Sequence, residues 1–142
     1  MKSRKVVAWT LLGMWALLIF FFSSQVSSDS ADLSSGVMNL INEILPFELN
    51  LIVVRKIAHF TEFLILGGLV LNVFSCYQKI TARNMIQTSF ICFLYACSDE
   101  IHQAFVPGRG PGIIDVGIDT LGSMVGILIY KELLKHKNKK KA

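Results

Sequence analysis

Cysteine, proline and charge are all scarce in this 142-residue chain, and each scarcity removes a class of protein. The three cysteines, Cys76, Cys92 and Cys97, are odd in number and form no Cys-x-x-Cys pair, which excludes a disulfide framework and a thiolate zinc site. They read as small packing residues. No His-Glu-x-x-His occurs, so the helix of a zinc protease is absent. Charged residues make up 17% of the chain and hydrophobic ones 53%, the latter in long unbroken runs, which excludes an ordinary soluble domain and points to a membrane protein. The net charge of +4 does not point to nucleic acid. Most of the basic residues cluster near the two ends of the chain, a topological pattern rather than a groove-binding one.

What is present is a series of apolar runs. Met1-Lys2-Ser3-Arg4-Lys5 precedes the first, residues 6–22, which is longer than the roughly 7 to 15 residues of a signal-peptide core and is expected to be a retained span. Further spans are expected at residues 55–74, 85–105 and 113–134, followed by a basic tail at 135–142. Between the first two, Leu33, Val37, Leu40, Ile41, Ile44 and Leu45 recur at helical spacing until Pro46, which predicts a short amphipathic helix lying on the outer membrane surface. The expected fold is all-α: one domain over residues 1–142, with four transmembrane helices and this extracytoplasmic helix.

Charge supports that topology. Lys2, Arg4, Lys5, Lys79, Arg83, Lys131, Lys135, Lys137, Lys139, Lys140 and Lys141 fall inside, against Arg55, Lys56 and Arg109 outside, so both termini are expected to be cytoplasmic. Of the acids, only Glu132 lies on the inner side.

Four acids, Asp99, Glu100, Asp115 and Asp119, fall in the twenty-two residues from Ser98 to Asp119, together with His102, Gln103 and Arg109. A turn rich in proline and glycine, with Pro107 and Pro111, folds its two arms together. Arg55, His59 and Glu62 stand at i, i+4, i+7 at the outer end of the second span. Asp99, His102 and Gln103 stand at i, i+3, i+4 on the third, with Glu100 turned partly away, and Asp115 and Asp119 at i, i+4 on the fourth. An ionised group deep in a bilayer costs about 2.5 to 3.5 kcal/mol, so these side chains are expected to converge on one polar vestibule. Asp119, about 6 Å below Asp115, has the strongest demand for a partner. Gly122 and Gly126 follow it as a Gly-x-x-x-Gly, with Gly67 and Gly68 below Glu62, all suited to close helix packing. Two histidines and several carboxylates also suit a divalent metal by ligand type, with a closed ion-pair network as the other reading.

Arg55-Lys56-x-x-His59-Phe60-x-Glu62-Phe63, Ser98-Asp99-Glu100-x-His102-Gln103-x-Phe105-Val106-Pro107-Gly108-Arg109 and Asp115-x-x-x-Asp119-x-x-Gly122 resemble the signature of the VanZ-like family. These are small multi-spanning membrane proteins of bacteria, named after a glycopeptide-resistance protein that lowers sensitivity to teicoplanin. The resemblance implies a place in the plasma membrane of the bacterial cell envelope but no settled reaction. It departs from the family pattern after Arg109, where this chain has Gly110-Pro111-Gly112.

Two functions remain open at this level. In one, the vestibule binds a lipid head group, peptidoglycan precursor or glycopeptide, with Arg55, Gln103, Arg109 and Asp115 as ligand-binding residues, the arginines suited to anionic groups by their planar forks. Alternatively the chain is a hydrolase or transferase acting on a lipid-linked substrate, with His59, Glu62, Asp99, Glu100, His102 and Asp119 as the catalytic set. The enzyme reading lacks a marked nucleophile.

Overall fold

In a computed structural model, residues 2–25, 36, 51–107 and 112–140 are described. Among these the chain forms four α-helices and no strand: α1 (Lys2–Ser23), α2 (Leu51–Ser75), α3 (Ala82–Gln103) and α4 (Ile113–Lys139). The first, second and fourth apolar runs yield helices long and apolar enough to cross a membrane. The 22 residues of α3 reach about 33 Å at 1.5 Å per residue. Its composition is more polar, because Arg83, Asn84, Gln87, Thr88 and Ser89 fill its first half. The segment from Leu33 to Leu45, expected as an amphipathic helix, and the turn bearing Arg109 lie outside the described residues.

The helix ends differ from those expected, for local reasons. α3 begins at Ala82 rather than residue 85 because Thr81 and Asn84 form a reciprocal capping box, which starts the helix before the apolar run does. α4 continues to Lys139, through most of the basic tail: lysine is a good helix former, and cations in the last turn complement the helix dipole.

Cross-helix contacts fix the helix directions. Arg4 at the start of α1 donates to Ser75 Oγ at the end of α2 (3.0 Å), and Ser24 just past α1 meets His102 at the end of α3 (3.1 Å). Lys56 near the start of α2 pairs with Asp115 near the start of α4, while Tyr130 donates to Asn72 Oδ1 near the far end of both (2.6 Å). The chain therefore runs up and down alternately, with α2 and α4 parallel to each other.

The core is small, with Ile19, Phe63, Leu66, Val70, Cys92 and Ala96 packed together and Trp15 and Tyr95 against them. Each of these two aromatics also donates a hydrogen bond to a helix carbonyl, Trp15 Nε1 to Glu62 O (2.9 Å) and Tyr95 Oη to Ala16 O (2.7 Å). Such bonds lock α1 onto α2 and α3 with no orphaned ring donor. Large apolar side chains such as Trp9, Leu17, Phe90, Ile101, Leu121 and Leu128 point outward, as on a lipid-facing surface.

The α2–α4 contact is closer still. A Cβ added at Gly67 would collide with the backbone of Ser123, one at Gly122 with that of Phe60, and one at Gly126 with that of Leu64. The expected packing role of these glycines is thereby met, since only a residue without a side chain lets the two backbones touch. This contact brings the upper ends of α2 and α4, which carry His59 and Asp119, together.

Candidate functional site

The upper end of the bundle gathers the polar residues. Asp119, one turn below Asp115 on α4, is completely buried, and Asp99, Glu100 and Gln103 on α3 are 4%, 5% and 5% exposed. His59 reaches in from α2, its Nδ1 lying 3.7 Å from Asp119 Oδ1. One ligand atom each from His59, Asp99 and Asp119 lies within 4.8 Å of the others. Among the described residues, neither oxygen of Asp119 accepts a hydrogen bond, and His59 Nδ1 makes none either. A separation of 3.7 Å is too long for one.

Around this triad a second set of contacts holds its members in place. Gln103 Nε2 donates to Asp99 Oδ2 (3.0 Å), so two buried residues at i, i+4 on α3 orient one another. Half-buried Glu62, one turn beyond His59, adds its negative charge to the field around the imidazole. Glu100 Oε2 accepts the backbone N–H of Gly112 (2.6 Å), where α4 begins. That bond ties the end of α3 to the start of α4, and Glu100 is therefore turned inward rather than partly away. Lys56 and Asp115 form an ion pair above the triad, with side chains 38% and 32% exposed, at the rim of the site.

His102 is not part of this gathering. Its Nε2 faces Ser24 Oγ at 3.1 Å and its ring lies 4.5 Å from that of Phe20, so it is turned to the end of α1. Helix geometry explains the split. At about 100° per residue, Gln103 and Glu100 lie to one side of Asp99 and His102 about 60° to the other. Arg55 is half-buried on α2, and it is its neighbour Lys56 that bridges to α4. Arg109 lies outside the described residues. Lys56 is the contributor that sequence reasoning left out of the site; its i, i+3 spacing from His59 was the available signal.

The opposite end of the bundle is basic. Arg4, Lys79, Lys131, Lys135 and Lys139 line a groove there with Ser75 and Tyr77. Lys5 sits over the Tyr77 ring at 4.1 Å, and Trp9 Nε1 donates to the Tyr77 hydroxyl (3.1 Å). The separation of acidic and basic residues expected along the chain is thus a separation of the two ends of the bundle.

No curated protein and no solved structure matches the chain. The family model described as VanZ/LLP1 matches residues 8–135, which include the polar signatures of α2, α3 and α4, from His59 and Glu62 through Asp99 to Asp119. With a family match over most of its length and three helices fit to cross a membrane, the chain belongs to the VanZ/LLP1 family.

Proposed function

We propose that this protein spans the bacterial plasma membrane four times with its basic end in the cytoplasm. The acid-rich recess at the opposite face engages the polar head group of a cell-wall precursor, a membrane lipid or a glycopeptide. The observation that carries this reading is the convergence of buried polar side chains from α2, α3 and α4 at one end of an otherwise apolar bundle. Buried polar groups in a bilayer-embedded helix bundle are costly and mark functional sites. A rim bearing Lys56 and Asp115, with Arg55 next to Lys56 in the sequence, offers charges of both signs to a zwitterionic or anionic group.

The enzyme reading draws support from the His59–Asp119 pair, but the other parts fit it less well. The Ser98 hydroxyl donates to Tyr95 O of its own helix (2.7 Å), Cys92 is sealed in the core, and His102 faces α1. Binding without transformation needs none of these.

The test is binding to nanodisc-embedded protein of a prenyl phosphate lipid and, separately, of teicoplanin. Arg55→Ala and Arg109→Ala are expected to weaken the bound partner about tenfold or more, the value of one charge-assisted hydrogen bond. His102→Gln is expected to leave it within about threefold. No binding by either probe, or a chemically altered lipid whose formation stops in His59→Gln, counts against the binder reading.

A further inference from the structure

The triad beneath the rim has a geometry that a hydrogen-bond network does not account for. Asp119 is wholly buried, yet among the described residues neither of its oxygens accepts a hydrogen bond, and its ion-pair partner, His59 Nδ1, stands off at 3.7 Å. A buried carboxylate normally takes several donors, so one without any lacks a partner of another kind. Asp99 brings a second carboxylate into the same space from a different helix, with ligand atoms of all three residues within 4.8 Å. A second carboxylate this close makes the ionised form of Asp119 costlier still unless a proton or a cation lies nearby.

We propose that His59 on α2, Asp99 on α3 and Asp119 on α4 bind one first-row divalent transition-metal ion of the zinc, manganese or iron type. The His59–Asp119 distance suits it. Metal–ligand bonds of about 2.0 to 2.1 Å place tetrahedral ligand atoms about 3.3 Å apart, a few tenths of an ångström inside the His59–Asp119 spacing. An imidazole nitrogen with two carboxylates selects this class over magnesium and calcium, which prefer all-oxygen sites. A doubly charged cation also neutralises both carboxylates in a place where bare charge is costly. Gln103 acts as a positioning residue through its bond to Asp99, as outer partners of metal ligands commonly do. Three protein ligands would leave a coordination position for water or for an oxygen of a bound head group. The inference does not depend on the head-group reading: a metal that draws ligands from three helices would tie them together with nothing else bound.

The experiment uses the full chain in detergent, stripped with chelator and titrated with Co²⁺ and then Zn²⁺. Visible absorption and equilibrium dialysis report binding. Expected are one equivalent per chain, ligand-field bands from Co²⁺ that Zn²⁺ abolishes and millimolar Mg²⁺ does not, and a rise in melting temperature on loading. His59→Gln and Asp119→Asn should each weaken binding about 100-fold, and Gln103→Leu about 10-fold or more. Glu132→Gln, at the opposite end of the bundle, should not change it. Where Asp119→Asn does not fold, His59→Gln and Gln103→Leu decide. Wild-type protein that is monodisperse yet binds less than about a third of an equivalent overturns the proposal, as does unchanged affinity in folded His59→Gln and Gln103→Leu. Head-group binding that persists in metal-free protein leaves the functional reading standing and removes only the metal from it.

Discussion

At the scale of single residues, the upper end of the bundle contains two acids on one helix with opposite circumstances. Asp115 is a third exposed and paired with Lys56, so water and a flexible ammonium share the work of stabilising it. Asp119, one turn deeper, has neither. Lys56→Met is accordingly expected to change stability by only about 0 to 1 kcal/mol, the range for exposed ion pairs, as read by thermal unfolding in detergent. A larger loss would mean that the rim pair is sealed from solvent. The depth of Asp119 was legible from its position in an apolar helix, because spacing along a helix converts directly into depth. The direction of His102 was not. It depends on where the end of α1 falls beside α3, a tertiary fact that no spacing within the third run records.

At the scale of elements, hydrophobic run length identified the four helices, and failures came at their ends. The apolar signal begins four residues after Thr81, which has already capped α3, and stops before α4 does. Where two elements meet, glycine was the readable sign. Gly126 lets α4 touch the α2 backbone at Leu64, whereas Gly117 on the same helix has open space around it. Gly126→Leu is therefore expected to destabilise the bundle by about 1 to 3 kcal/mol or more, the cost of forcing volume into a packed contact. Gly117→Leu should have little effect. Thermal melts and detergent-resistance assays of the two variants make the comparison, and equal tolerance would mean that α2 and α4 do not pack backbone to backbone.

At the scale of the whole molecule, the lysine-rich end and the acid-rich end of the up-and-down bundle lie opposite each other, and by the positive-inside rule the lysine-rich end is expected to face the cytoplasm. Reporter fusions at Asn50 and Gly110 should read external and a fusion at Gln78 cytoplasmic. An external reading at Gln78 would invert or break the four-span arrangement. In the proposed four-span arrangement α3 is the most polar crossing, and its Asn84 and Thr88 are buried and bonded within the helix. Such a helix is hard to recognise from composition alone, because its polar side chains find their partners only once it is folded.

The parallel contact of α2 and α4 governs how the molecule comes into being. Parallel neighbours cannot be made as a hairpin, so during translation α2 emerges with His59 and Glu62 while the helix bearing Asp119 is not yet synthesised. Through that interval the side of α2 that bears Gly67 lacks the α4 backbone it packs on in the finished structure. The last helix closes the structure as the final stave closes a barrel, burying the most demanding carboxylate at the moment the packing is completed. A nascent chain stalled before that step displays unmet polar groups on helices already inserted, which is the kind of mark by which membrane quality control tells an unfinished protein from a finished one.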